Sequence, residues 1–172
     1  MQSSSFRSAL LLVPALVLTL PAARLRAADE AGRLAELDRY WAAVSQSVKT
    51  GDFAAYRAGC HPEGVLVSEK LKRSEPMTAA LARWRQGFDD TKAGRTKADV
   101  AFRFTRRMGD ATTAHETGIF LYTFTGTDGQ TKRDYVKFEA LLVKGAEGWR
   151  IMMEYQKEAA TEAEWQQAAA AR

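Results

Sequence analysis

Residues 37–68 read LDRYWAAVSQSVKTGDFAAYRAGCHPEGVLVS, which parses as a helix, a Gly-Asp break, a second, shorter helix and a first strand. Leu34, Leu37, Trp41, Val44 and Val48 recur at helical spacing and form one apolar stripe that has to pack on something broad and flat. Gly51 ends that helix, because a glycine just past the last turn can adopt the left-handed conformation that closes it. Asp52 directly follows and can cap the amides of the next helix. That helix carries Phe53 and Tyr56 and stops near Gly59. His61-Pro62 imposes an extended or turn conformation ahead of Val65, Leu66 and Val67, which read as a buried strand.

Upstream, residues 1–27 have the layout of a secretory signal peptide. Arg7 lies in a short n-region, ALLLVPALVLTL follows at 9–20, and small residues cluster at Ala22, Ala23, Ala27 and Ala28. The apolar run is too short to span a bilayer. The expected location is secreted or periplasmic, with no membrane attachment after cleavage between Ala23 and Asp29. An uncleaved anchor, with Arg24 and Arg26 as stop-transfer charges, is the competing reading. The chain has 25 Lys+Arg against 21 Asp+Glu, a net of +4. The signal segment holds Arg7, Arg24 and Arg26 and no acid, so the mature domain is close to neutral. That gives no global electrostatic ground for nucleic acid or an anionic membrane as partner. Cys60 is the single cysteine; no intramolecular disulfide can form, and the core must hold by burial.

Downstream, a third helix is expected from about Pro76 to Phe88, capped by Ser74 or Glu75, with Met77, Ala80, Leu81, Trp84 and Phe88 as its stripe. From Thr96 the period changes to two. Val100, Phe102 and Phe104 alternate with polar neighbours, Gly109-Asp110 turns the chain, and a strand rich in β-formers runs from Thr112 to Thr125. Gly126 to Gly129 and Gly145 to Gly148 supply two more turns. Val136, Phe138, Ala140 and Leu142 form one core face, and Trp149, Ile151, Met153 and Tyr155 are expected to face inward from the last strand. Short turns between sequence neighbours imply an antiparallel meander. Residues 28–157 thus form one α+β domain. Residues 158–172 are alanine-rich, with Glu162 and Glu164 early and Arg172 last, and read as a frayed C-terminal helical tail.

Taken together, YWAAVSQSVKTGDFAAY, HPEGVLVS and GWRIMMEYQ make the chain resemble the nuclear transport factor 2-like superfamily, in its SnoaL-like and domain-of-unknown-function branches. The resemblance spans about Leu34 to Gln156. It implies a cone: a curved antiparallel sheet wrapped around the long N-terminal helix, with two further short helices, a pocket at the open end and, commonly, a homodimer through the outer sheet face. The residues support the dimer independently. Phe120, Tyr122 and Phe124 on one face oppose Ile119 and Leu121 on the other, and Phe138 and Leu142 oppose Leu141 and Val143, so a partner is expected over whichever face the domain leaves bare.

Fold alone does not fix function. Ketosteroid isomerase is the best-defined enzyme of the superfamily for comparison. Counted from Gly51-Asp52, its general base falls at Ser68, its oxyanion tyrosine at Val44, and its second aspartate at Glu139 or Ala140. Serine does not accept a proton at neutral pH as a carboxylate does, and valine donates nothing, so that activity is not expected. His115 and Glu116 adjoin on one strand and must point to opposite faces. His61, His115 and Cys60 lack metal-ligand spacing, and no phosphate loop, nucleophile elbow or dinucleotide fingerprint is present; neither metal nor cofactor is expected, and no catalytic residue is assigned. Trp41, Tyr56, Ser68, Trp84, Phe102, Met153 and Tyr155 are the candidate lining of the pocket, for a small apolar ligand. The favoured reading is a non-catalytic binding or interaction module. The alternative is a small isomerase or hydro-lyase acting on an apolar cyclic substrate. Two convergent ionisable groups would favour the enzyme, whereas a filled cone or a purely apolar cavity would favour the module.

Overall fold

The structure is a computed structural model that describes residues 20–170; the n-region and most of the apolar run of the expected signal peptide lie outside the described residues. In chain order the elements are α1 (Leu20–Thr50), α2 (Phe53–Ala58), β1 (Cys60–Ser68), β2 (Arg73–Pro76), α3 (Met77–Lys92), β3 (Lys97–Gly109), β4 (Thr113–Thr125), β5 (Thr131–Gly145), β6 (Gly148–Ala159), α4 (Glu162–Gln167) and β7 (Ala169–Ala170). Among the described residues no helix is long and apolar enough to cross a membrane.

The Gly-Asp break works as its chemistry requires. Gly51 has φ +68°, and a Cβ there would lie 2.4 Å from the backbone nitrogen of Lys92. Glycine therefore both closes α1 and lets the end of α3 pack against it. The Asp52 carboxylate accepts the Ala55 amide at 3.0 Å and caps α2.

The strand order is β2-β1-β6-β5-β4-β3-β7, a curved sheet that does not close. From β3 to β6 it is the expected antiparallel meander. One pairing departs from the all-antiparallel expectation, because β1 lies parallel to β6. The chain crosses from β2 through α3 to the far side before the meander starts, so its last strand returns beside its first and in the same direction. Ser74 and Glu75 are not helix caps either: they belong to β2 and pair with Val67 and Leu66. The Glu75 carboxylate instead takes the guanidinium groups of Arg73 and Arg83.

α1 lays Leu37 and Trp41 into the concave face, among Leu66, Phe104, Phe138, Ala140, Leu142, Trp149 and Ile151, while α3 adds Met77, Ala80 and Leu81. Trp41 is the hub, with the rings of Phe102, Phe104 and Phe138 at 4.4, 5.7 and 5.7 Å between centroids. Its indole N–H donates to Glu116, which is fully buried. Arg107 holds Glu116 through its Nε and reaches Asp38 on α1 through its Nη1.

The C-terminal tail is tied down rather than frayed. Thr161 and Glu164 bond reciprocally in a capping box. Trp165 is buried on the convex face of the sheet with Ile119, Leu121, Tyr135, Ala160 and Ala168. The Arg103 guanidinium stands 4.5 Å over the Trp165 ring and donates to the Trp165 carbonyl at 2.8 Å. β7 then pairs with Arg103 and Phe104 of β3. The chain's own tail thus covers part of the face for which a partner was expected.

Candidate functional site

The decisive local event is a bulge in β6. Leu142 pairs with Ile151 but Leu141 pairs with Met153, so Met152 is an extra residue on β6 and the side-chain alternation reverses there. Trp149 and Ile151 point into the core as their spacing predicts. Beyond the bulge, the residues opposite the inward-facing Ala140 and Phe138 are Glu154 and Gln156. Met153 and Tyr155, expected in the pocket, belong instead to the convex side. The Tyr155 hydroxyl donates to Glu69 at 2.6 Å, and the Lys157 ammonium lies 5.7 Å over its ring. Three consecutive apolar residues, Ile151 to Met153, were the one sequence sign that strict alternation fails here.

The cone is open. A cavity of about 1060 Å³ is lined by α1, α2, α3 and the concave face of the sheet. Trp41, Tyr56, Ser68, Trp84 and Phe102 all line it, and Tyr40, Val44, Phe88, Phe120 and Tyr122 extend the apolar wall. Glu154 and Gln156 also line it, and sequence reasoning did not place them there.

Glu154 is flanked across the sheet by Ala140 and by Leu66, both fully buried. Burial between them raises its carboxyl pKa above the ordinary value, opposed only by the Gln156 side chain, which donates to Glu154 Oε1 at 2.6 Å. The Tyr40 hydroxyl donates to the Gly59 carbonyl at 3.0 Å. Burial holds the phenols of Tyr40 and Tyr56 well above their usual range, with the Glu154 charge adding to the shift in each. Burial also pushes the Cys60 thiol up to about 12, which favours the neutral thiol over the thiolate at neutral pH.

At the positions carried over from ketosteroid isomerase, the Ser68 hydroxyl accepts the Leu71 amide at 3.3 Å and Val44 is an apolar wall. Ala140 faces inward and Glu139 outward, where it takes Lys157 at 2.9 Å and His115 at 3.3 Å. His115 and Glu116 lie on opposite faces, as their adjacency demands. The cavity therefore holds one desolvated carboxyl with phenols nearby, able to exchange a hydrogen bond or a proton with a bound molecule.

No family model matches the chain, and no curated protein matches it either. Solved structures do match. A protein of unknown function from Mycobacterium tuberculosis is 14% identical, with a TM-score of 0.62, over 80% of this chain and 78% of that one. A nuclear transport factor 2-like superfamily protein from Salmonella enterica is 16% identical, TM-score 0.57, over 77% and 95% of the two chains. A ketosteroid isomerase-like protein from Erwinia carotovora atroseptica is 18% identical, TM-score 0.55, over 74% and 96%. At such identities the likeness concerns architecture, and with the helix-filled open sheet it supports one conclusion: the chain has the nuclear transport factor 2-like fold.

Proposed function

We propose that this is a small-molecule-binding domain whose ligand is an apolar cyclic compound held in the open end of the cone. The observation that carries the reading is the cavity itself. Its volume of about 1060 Å³ lies at the upper end of what small-molecule sites use, and its walls combine aromatic rings with charged and polar side chains. An interaction module with no ligand would have no reason to leave Trp41, Phe102 and Phe120 facing empty space that longer side chains could fill.

A second reading, an isomerase or hydro-lyase, is favoured by one observation: Glu154 is a carboxyl of raised pKa within that cavity. In it Glu154 would take a proton from, or give one to, the bound ring.

A thermal-shift screen of apolar cyclic compounds on the wild type and on Ala98→Trp tests the binding. Ala98 lines the cavity on the strand that starts at its mouth, so the indole should plug the entrance. Hits are expected for the wild type and lost in the variant. A screen without hits, or hits that survive the plug, would overturn the reading. The enzyme reading requires turnover that Glu154→Gln abolishes.

Two further properties belong to the proposal. The first is export with removal of the segment ahead of Asp29, supported by the residue pattern of 1–27; N-terminal sequencing checks it, and intact Met1 in the membrane fraction would contradict it. The second is a homodimer through the part of the convex face that the tail leaves bare, around Leu141, which is 36% exposed. Light scattering at micromolar concentration checks that.

A further inference from the structure

We propose that the ligand of the cavity is an apolar amine, bound as its ammonium ion with the nitrogen at Glu154 and its ring system against Trp41, Phe102 and Phe120. This rests on the reading of the cavity as a small-molecule site and narrows it to a chemical class.

The first argument is charge. Three acids sit on the concave face of the sheet. Glu116 is neutralised by Arg107. Glu154 has a neutral amide as its only side-chain hydrogen-bond partner. Asp134 alternates in step with Val136 and Phe138 and pairs across the sheet with Tyr122, another wall residue. The cations along the cavity do not answer these two. Lys72 is held by Glu69 at 2.6 Å, Arg83 by Glu75 at 2.6 Å and Lys157 by Glu139 at 2.9 Å. Arg133 alternates with Asp134 and so belongs to the opposite face, and Lys70 is exposed on the turn after β1. Asp134, Arg133 and Lys70 are all exposed, so the half-buried charge left without a counter-ion among the described residues is that of Glu154, and an anionic ligand placed against it would meet repulsion.

The second argument is the count of donors and acceptors. Gln156 spends its amide N–H on Glu154, which leaves its carbonyl oxygen free. Tyr40 spends its O–H on Gly59. Ser68 already accepts from Leu71. Glu154 Oε2, the Gln156 carbonyl and the Tyr40 oxygen remain available as acceptors, beside the hydroxyls of Tyr56 and Tyr122, which can donate or accept. An ammonium brings up to three N–H donors together with the missing positive charge, and the aromatic wall favours a cation over its ring faces. A neutral ketone or ether can accept from those hydroxyls but brings no positive charge to Glu154. Burial raises the Glu154 pKa and an ammonium beside it lowers it again, so amine binding and proton release at this group are linked.

The test uses three probes of one shape, naphthylmethylamine, naphthalenemethanol and naphthoic acid, titrated into the purified protein by calorimetry and by the fluorescence of Trp41 and Trp84. The amine is expected to bind about tenfold or more tighter than the alcohol, as a charge-assisted contact implies. It should release protons, measured from the dependence of the heat on buffer ionisation. Glu154→Gln should bring amine and alcohol to within about twofold and abolish the proton release while alcohol binding persists. If the alcohol or the acid binds as well as the amine, the amine assignment fails and the small-molecule site stands. If none of the three binds, both fail together.

Discussion

Glu116 has no water to fall back on: its carboxylate is 0% exposed, and its partners are the Trp41 indole and the Arg107 guanidinium, which also holds Asp38. Removing Arg107 leaves a buried charge uncompensated, a change that costs about 3–5 kcal/mol. Arg107→Ala should lower the denaturation midpoint accordingly, and a loss under about 1 kcal/mol would show that Glu116 is not held by that contact. Glu154 is the opposite case, a half-buried acid without a cation. Its native pKa is raised from 4.5, so the folded state binds the proton more tightly than the unfolded one. Its contribution to stability is greatest below the ordinary carboxyl range and falls as pH rises through 4.5 and then through the raised native value. Glu154→Gln should therefore gain on the wild type as the pH climbs from acid to neutral, in paired urea titrations. A difference that stays flat with pH would contradict the burial of this group.

The bulge in β6 decides which side chains the cavity receives. Deleting Met152 removes the extra residue and leaves Met153 opposite Leu141 and Glu154 opposite Ala140 by plain alternation, so Glu154 should stay inward and Met153 and Tyr155 outward. The deletion variant is expected to keep the pH-dependent part of its stability along with any preference for amines, measured beside Glu154→Gln; loss of both would show that the bulge is not centred on Met152. Much of the element list was legible in the sequence because helical stripes, the Gly51-Asp52 break and glycine turns are local. What was not legible depends on pairing. Whether Ser74 and Glu75 cap a helix or join a strand is settled by Leu66 and Val67 across the sheet. Whether Met153 faces in or out is settled by a single misfit between two strands. The tail was misread for a related reason: its alanines suggest fraying, but Trp165 finds a buried seat that only the assembled convex face provides.

At the scale of the molecule, a cone with a serine at Ser68 and no donor at Val44 should not isomerise enones, and Ser68→Asp should not restore the activity. A missing oxyanion donor alone costs about two to three orders of magnitude in rate; robust turnover by the wild type would refute this. The C-terminal strand has a second role beyond pinning the tail. The sheet ends at one rim in β2, four residues long, and at the other in β7, two residues long, and directly inside the latter lies β3 with thirteen. Bare, β3 would offer a row of unpaired amides and carbonyls on which an identical chain could add itself, strand upon strand. By pairing with Arg103 and Phe104 the tail interrupts that row in its middle, which should hinder such addition. A chain trimmed after Ala160 should form fibrous aggregates on standing, faster at high salt where Arg103 and Arg106 no longer repel their counterparts. Thioflavin fluorescence would follow the process, and equal solubility of trimmed and full-length chains would disprove it.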